Sequence, residues 1–280
     1  MKYDMTDNDM TFPYGRSLFL TGASSGIGRT CAKVLAKSGY TVYAASRNPK
    51  TNYEFHGGDG EILTVKMDVT NPHSVEEAIK NVFEDDIGIV IHCAGIGIAC
   101  PAEHFPDEAI SRLMNTNFTS VMNINSHILP YFRKRGTGLC IIVSSVAGLF
   151  PIPFQSHYCS SKAALEAYAG ALRMEVSDYK IKVCLVLPGD TKTGFTSARS
   201  YEFDESSPYY NACVKSISKM EQDELSGKPP LSVAMVIREL CERKNPPLRT
   251  VVGFKYKVLT FMRRILPARL IEFILKRIYM

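Results

Sequence analysis

A tyrosine and a lysine one helical turn apart, Tyr158 and Lys162, have the types and spacing that suit proton transfer. In a helix, a spacing of four places both side chains on one face. A free phenol has a pKa of about 10, and a neighbouring ammonium should favour the phenolate and lower that pKa. Ser145, thirteen residues before Tyr158, could donate a hydrogen bond to a substrate oxygen. Because Tyr-x-x-x-Lys pairs are common by chance, the prediction depends on their combination with other motifs.

A glycine-rich turn near the start of the chain suits the binding of a pyrophosphate. An apolar run precedes Thr21-Gly22-Ala23-Ser24-Ser25-Gly26-Ile27-Gly28, and a helical pattern follows it. Glycines let backbone N–H groups approach a phosphate closely, and the N-terminus of a helix adds a favourable field. A structural turn alone could explain the glycines, but the strand before and the helix after favour a dinucleotide site.

The second apolar run ends at Ser46 and Arg47, where no acidic residue stands. A carboxylate there would bind ribose hydroxyls and repel a 2′-phosphate, whereas a guanidinium binds phosphate through charge-assisted hydrogen bonds. With the Ser24 hydroxyl added, this favours NADP(H) over NAD(H); the alternative is that Arg47 is a solvated surface residue. Asp68 is predicted to accept a hydrogen bond from the adenine amino group, to cap the turn before Pro72, or to do both.

Apolar runs alternate with helical patterns along most of the chain, which predicts an α/β fold with a doubly wound parallel sheet. The predicted strands are Ser17–Leu20, Thr41–Ala45, Ile62–Lys66, Gly88–His92, Leu139–Val143, Ile181–Leu187 and Thr250–Gly253. The predicted helices are Ile27–Ser38, Pro72–Glu84, Asp107–Arg133, Cys159–Val176 and Ser232–Arg243. Several strands are continuously apolar, as expected where helices cover both faces of a sheet.

These motifs, in this order, resemble the short-chain dehydrogenase/reductase family over roughly Arg16 to Gly253. The resemblance is carried by the glycine-rich turn, Asp68-Val69, Cys93-Ala94-Gly95, Asn117, Ser144-Ser145, the Tyr158 and Lys162 pair, and Pro188-Gly189. It implies a Rossmann-like single domain and an NADP(H)-dependent oxidoreductase that interconverts a secondary alcohol and a ketone. By resemblance, Tyr158 is the catalytic acid/base, supported by Lys162, Ser145 and Asn117. Asn117 is expected to hold a water that links Lys162 to solvent.

The resemblance also implies which residues bind the cofactor and how chains associate. The implied cofactor-binding residues are Gly22, Ser24, Ser25, Gly26, Ile27, Gly28, Arg47, Asp68, Val69, Ala94, Gly95, Tyr158, Lys162, Pro188, Gly189, Thr191 and Thr193. A homodimer or homotetramer is expected. One position departs from the family pattern. His92 stands where an asparagine commonly supports the central strand, so the sequence does not show how this strand is supported. His157, next to Tyr158, is expected to line the pocket or lie at the surface and not to take part in catalysis.

Composition argues against several other classes of protein. The 280 residues are 45% hydrophobic and 22% charged, as in a soluble globular domain. Eight cysteines form no Cys-x-x-Cys pair and six histidines show no metal-type spacing, so we expect reduced thiols and no metal site. The polar, acidic start lacks the pattern of a secretory signal, and no apolar run is long enough to span a bilayer. The prediction is a cytoplasmic protein.

Three parts are predicted: an N-terminal extension over 1–15, the α/β domain over 16–254, and a basic amphipathic tail over 255–280. The tail holds seven basic side chains and one acidic one, a charge of +6 that exceeds the chain's net charge of +5, so nucleic-acid binding by the body is not expected. Apolar residues from Leu270 to Tyr279 recur at roughly helical spacing. Such a helix either lies on the cytosolic face of an anionic membrane or packs on the body or on a second subunit.

Substrate selection is predicted to come from residues 96–101 and 149–155 and from a lid at about 194–230, which is polar and poorly periodic. The predicted apolar rim consists of Phe150, Pro151, Ile152, Pro153 and Phe154. This rim favours a steroid-, retinoid- or lipid-like alcohol or ketone. The alternatives are a small polar ketone or polyol, or a non-catalytic NADP(H)-binding sensor.

Overall fold

Short apolar strands form the centre of the computed structural model, which describes residues 12–49, 53, 58–83 and 86–280. The strands are β1 Ser17–Thr21, β2 Thr41–Ser46, β3 Glu61–Lys66, β4 Ile89–His92, β5 Ile98–Ala99, β6 Gly138–Val143, β7 Ile181–Pro188, β8 Ser200–Tyr201 and β9 Arg249–Val252. One parallel sheet has the order β3-β2-β1-β4-β6-β7-β9, while β5 pairs with β8. Because the strand order reverses direction beside β1, a crevice opens at the carboxyl ends of β1 and β4.

Helices cover both faces of this sheet. They are α1 Gly26–Lys37, α2 Pro72–Val82, α3 Asp107–Met114, α4 Ser120–Arg135, α5 Ser156–Glu175, α6 Tyr210–Leu225, α7 Leu231–Cys241, α8 Phe254–Met262 and α9 Ala268–Tyr279. Buried side chains of α1 and α7 pack with one face of the sheet, and those of α2, α4 and α5 pack with the other. The doubly wound α/β fold predicted from the sequence is therefore confirmed.

Two predicted segments differ from the structure. The long helix expected over Asp107–Arg133 is interrupted by a π-helical segment, Asn115–Thr119, so it forms two helices. The poorly periodic segment 194–230 is not a structureless loop, because it contains the 16-residue helix α6. Buried Cys213, Ile217 and Met220 lie at a spacing of four and three, a helical signal that the sequence interpretation missed. The predicted helix end at Glu84 and residues 1–11 of the extension lie outside the described residues.

His92 connects the central strand β4 to helix α4. Its Nε2–H donates to the Asn125 side-chain oxygen at 2.9 Å, and Asn125 donates in turn to the Tyr168 hydroxyl at 3.2 Å. His92 is fully buried, and burial lowers its pKa to about 4. A neutral histidine thus supports the central strand, at the position where the family commonly has an asparagine.

The C-terminal tail forms α8 and α9, which have one packed side and one exposed side. The Tyr256 hydroxyl bonds to Asp190, and Tyr279 packs beside Cys213 and Met220 of α6. More than half of the exposed large apolar side chains of the described residues nevertheless lie in residues 254–280, which comprise α8, α9, the segment that connects them and the C-terminal residue. Among the described residues, no helix combines the length and apolarity needed to cross a bilayer.

We expect His92 to make the protein sensitive to acid. In the unfolded chain its pKa returns to about 6.5, so below that pH the unfolded state binds the extra proton and stability falls until the pH reaches about 4. Between pH 7 and pH 5, the wild-type protein should lose about 2 kcal/mol more than His92→Gln in urea unfolding. His73→Gln, which changes an exposed histidine, is the control. Equal acid sensitivity in wild type and His92→Gln would refute this account.

Candidate active site

The turn between β1 and α1 is built for close backbone approach. Gly22 has φ +69°, and a Cβ there would lie 2.7 Å from the Ala94 nitrogen. A Cβ on Gly28 would lie 2.3 Å from the Gly22 carbonyl oxygen. Ser25 precedes α1 without a side-chain cap bond among the described residues, which leaves the first N–H groups of α1 available to an anion. These features fit the pyrophosphate of a dinucleotide.

A cleft of about 610 Å³ runs along the carboxyl ends of the strands. It is lined by all of the residues predicted to bind the cofactor, namely Gly22, Ser24, Ser25, Gly26, Ile27, Gly28, Arg47, Asp68, Val69, Ala94, Gly95, Tyr158, Lys162, Pro188, Gly189, Thr191 and Thr193. Ser145 lines it as well, whereas Asn117 does not. The structure thus places every cofactor-binding residue that was predicted from the sequence along one cleft. Among the described residues there is no cluster of metal-ligating side chains.

At one end of the cleft, polar groups surround the ends of β2 and β3. Ser46 is buried, and its hydroxyl has no hydrogen-bond partner among the described residues, while Arg47 next to it is exposed. Burial by itself would raise the pKa of Asp68, but hydrogen bonds from the Thr70 N–H and hydroxyl, together with the Arg47 charge, lower it. Asp68 therefore organises the turn, and Asn71 caps α2. An unpartnered hydroxyl beside a guanidinium fits a phosphate oxygen.

At the other end, Tyr158 and Lys162 lie on one face of α5 beside Ser145, which follows β6. Burial raises the pKa of Tyr158, and a hydrogen bond from the Ser145 hydroxyl opposes this rise. The Lys162 ammonium donates to the Val143 carbonyl at 3.1 Å and lies 5.8 Å from the centre of the Tyr158 ring. Burial lowers the pKa of Lys162 to about 8. The pKa of Tyr158 is therefore raised overall, contrary to the expected lowering, because burial of the phenol outweighs the hydrogen bond from Ser145.

Asn117 lies in the π-helical segment behind the cleft and is buried. Its side-chain oxygen accepts from the Ile96 N–H at 2.8 Å, and its amide donates to the Ile96 carbonyl at 3.0 Å and to the Ser161 hydroxyl at 3.2 Å. The side chain thus holds the loop after β4 against α5. A π-helical turn often marks a functional site, because it offsets one residue from the regular helical face.

The substrate end is lined by fewer of the predicted residues. Of the predicted apolar rim, only Ile152 lines the cleft, together with the adjacent Gln155. Phe154 instead packs with a separate apolar cluster that includes Met220, and its backbone has φ +61°. His157 stacks on Phe105 with ring centres 3.9 Å apart and does not line the cleft.

The segment predicted as a lid, 194–230, supplies cleft residues that the sequence interpretation did not name individually. Phe195, Met220 and Glu224 all line the substrate end. The rings of Phe195 and Tyr158 lie 5.9 Å apart, and Met220 and Glu224 lie one turn apart on α6. Recognition of α6 from its periodicity would have indicated that these two residues share a face.

Comparison with known proteins agrees with this geometry. Residues 16–202 match the family model described as short chain dehydrogenase. Over 267 residues the chain is 37% identical to 3-ketodihydrosphingosine reductase from Bacteroides thetaiotaomicron, covering 94% of this chain and 97% of that protein. It is 28% identical to retinol dehydrogenase 8 from Bos taurus, covering 90% and 86%. A crystal structure of a short-chain dehydrogenase from Streptomyces avermitilis superimposes with a TM-score of 0.77 at 24% identity, covering 90% and 94%.

Proposed function

Because the chain belongs to the short-chain dehydrogenase/reductase family, we propose that it is an NADPH-dependent reductase of a long-chain, lipid-like ketone. Members of this family are oxidoreductases that use a nicotinamide cofactor on alcohol and carbonyl groups. The observation that carries the proposal is that one cleft contains both a cofactor-binding end and a catalytic end. One end has the glycine turn and Arg47, and the other has Ser145, Tyr158 and Lys162.

Carbonyl reduction requires a hydride on carbon and a proton on oxygen. The nicotinamide supplies the hydride when it is bound. The Ser145 hydroxyl positions the carbonyl oxygen by a hydrogen bond and stabilises the charge that develops there. Tyr158 then donates its phenolic proton to that oxygen, which completes the alcohol and leaves a phenolate. The Lys162 ammonium, on the same face of α5, stabilises this phenolate and binds ribose hydroxyls of the cofactor.

Tyr158 and Lys162 are in the charge states that carbonyl reduction requires. Because burial raises the pKa of Tyr158, the phenol keeps its proton at neutral pH and is ready to donate it. Lys162, with its pKa of about 8, remains mostly charged near pH 7 and loses its charge as the pH rises above 8. Asn117 contributes by holding Ile96 and Ser161 in place behind these groups.

Arg47 and Ser46 support NADP(H) as the preferred cofactor. The guanidinium lines the cleft, and the Ser46 hydroxyl beside it lacks a partner among the described residues. The carboxylate that would repel a 2′-phosphate does not occur at the end of β2. The two groups together fit the extra phosphate through hydrogen bonds and charge.

The substrate proposal is supported by the relatives and by the apolar lining of the cleft. The names of two relatives refer to lipid-like molecules, a ketodihydrosphingosine and a retinol. Ile152, Phe195 and Met220 give the substrate end apolar walls. A small polar ketone or polyol would leave these walls in contact with water, so it is less favoured. The non-catalytic sensor has no use for a buried phenol bonded to a serine.

The tail supports a position on a membrane surface. The most exposed apolar side chains of α8, α9 and their connection are Phe254, Phe261, Ile265 and Phe273, at 78%, 61%, 66% and 62% exposure. Basic residues stand among them, including Arg263 and Arg264. Apolar insertion combined with positive charge matches an anionic bilayer, and it would place a cytosolic enzyme beside lipid substrates.

The first test measures consumption of NADPH with 3-ketodihydrosphingosine. We expect wild-type turnover and a fall of about 10²-fold or more for Tyr158→Phe, because the proton donor is lost. Tyr179→Phe, which changes an exposed tyrosine shortly after α5, should behave like wild type. Binding of NADPH without turnover of any long-chain ketone would favour the sensor instead.

The cofactor preference is tested by Arg47→Asp. Loss of a charge-assisted hydrogen bond and gain of a repulsive carboxylate should weaken NADPH binding about 10- to 100-fold and strengthen NADH binding. Dissociation constants from nicotinamide fluorescence provide the measurement. Lys66→Asp inverts another exposed charge, at the end of the neighbouring strand β3 and outside the cleft, as a control. An unaltered preference for NADPH in Arg47→Asp would contradict the assignment.

Membrane association is tested by co-sedimentation with vesicles. The wild-type protein should bind vesicles that contain anionic lipid and bind neutral vesicles less, because of its basic tail. Replacement of Phe254, Phe261, Ile265 and Phe273 by serine should abolish this binding while NADPH binding persists. Serine at Met174 and Leu225, which are exposed elsewhere, serves as the matched control. Equal sedimentation of the four-serine variant and wild type would end the membrane proposal.

A further inference from the structure

A buried ion pair lies at the substrate end of the cleft. Arg199 donates to one carboxylate oxygen of Glu224 at 2.6 Å, and Thr196 donates to the other at 2.6 Å. The Arg199 side chain is 1% exposed and that of Glu224 is 16% exposed. Glu224 lines the cleft, whereas Arg199 lies behind it. The carboxylate is therefore fixed on one side and open on the other.

This pair lies close to the reacting groups. The negative charge of Glu224 raises the pKa of Tyr158, and the positive charge of Arg199 lowers it, both less strongly than burial raises it. Phe195 stands beside both groups, with its ring 5.9 Å from the Tyr158 ring and 5.6 Å from the Arg199 guanidinium. Glu224 also acts on Asp190 and Tyr279, whose pKa values burial raises and the Glu224 charge raises further. Glu224, Phe195 and Tyr158 thus line the same cleft.

Stability alone does not explain the pair. Removing two charges from water is expensive unless their hydrogen bonds are complete. Two nitrogens of Arg199, Nε and Nη1, are buried without a hydrogen-bond partner among the described residues. An ideal Cβ on Gly97, another residue of the cleft wall, would lie 3.5 Å from Nε, so the unpartnered guanidinium edge lies directly behind the wall. Arg199 therefore holds Glu224 through one nitrogen, and the Glu224 carboxylate keeps the capacity to accept a further hydrogen bond from the cleft that it lines.

We propose that Glu224, held by Arg199 and Thr196, binds an ammonium group on the carbon next to the carbonyl of the substrate. The inference rests on the proposed function, since it assigns one part of a long-chain keto substrate to one residue. Each carboxylate oxygen already accepts one hydrogen bond and has capacity for another, so the partner must be a donor. A cationic donor binds the Glu224 carboxylate more strongly than a neutral hydroxyl does, because charge-assisted hydrogen bonds are stronger in a site shielded from water. Arg199 and Thr196 are positioning residues.

The test compares two ketones with the full-length protein and NADPH. One is 3-ketodihydrosphingosine, a long-chain ketone with an amine next to the carbonyl, and the other has hydrogen in place of that amine. Wild type should show a kcat/KM at least about 10-fold higher for the amino ketone. Glu224→Gln keeps the size and the Thr196 contact but loses the charge, so the ratio of the two kcat/KM values should fall to about one. Glu221→Gln, on α6 but outside the cleft, should retain the preference.

The outcomes separate this inference from the proposed function. If wild type reduces both ketones and Glu224→Gln keeps the preference, the inference is wrong and the proposed function stands. If wild type reduces neither ketone, both fail. A second measurement on wild type alone decides the matter if Glu224→Gln does not fold. The preference should decline as the pH rises through the separately titrated pKa of the substrate amine, and a constant preference over that range would overturn the inference.

Discussion

An amine held out of water at the carboxyl edge of the sheet is the constraint on which the site depends. Lys162 is fully buried, and the fall of its pKa to about 8 corresponds to about 3 kcal/mol of destabilisation of the charged form. The surrounding structure must offset this cost. It does so by the bond from Lys162 to the Val143 carbonyl and by the contact of the Ser144 hydroxyl with the Lys162 carbonyl, which ties β6 to α5. A strand end and a helix are thus joined at the point where the chemistry takes place.

The same joining places the phenol beside the lysine. Tyr158 lies one turn before Lys162, so the two side chains share one face of α5, and Tyr158 is partly buried where it lines the cleft. Ser145 stands two residues after the end of β6 and lines the same cleft. Asn117 holds the loop after β4 against α5. Strand β6, helix α5 and the loop after β4 are thus held together beside the phenol that carries the proton.

The sequence predicted the parts of the molecule that local pattern and motif order determine. Strands such as β4 and β6 are apolar throughout because both faces of the sheet are covered, so their positions could be read within about a residue. The glycine turn and the spacing from Ser145 to Lys162 placed the two ends of the cleft. The burial of Tyr158 could not be predicted, since it depends on the packing of Phe195, which lies on a distant segment. For the same reason Phe150 to Phe154 were assigned to the cleft wall, although only Ile152 among them lines the cleft.

The substrate end is where distant segments decide the function. Helix α6 contributes Met220 and Glu224 to the cleft, and its other neighbours include Tyr279 at the end of α9. The tail therefore packs against a helix that lines the cleft, while many of its apolar and basic side chains are exposed. A long-chain ketone fits this arrangement because its two ends need different surroundings: an alkyl chain needs apolar contacts near the tail, and a polar head needs the carboxylate beside Tyr158. Since a small polar ketone would use only the second of these features, the apolar exposed tail and the buried ion pair together favour an amphiphilic substrate that enters from a lipid surface.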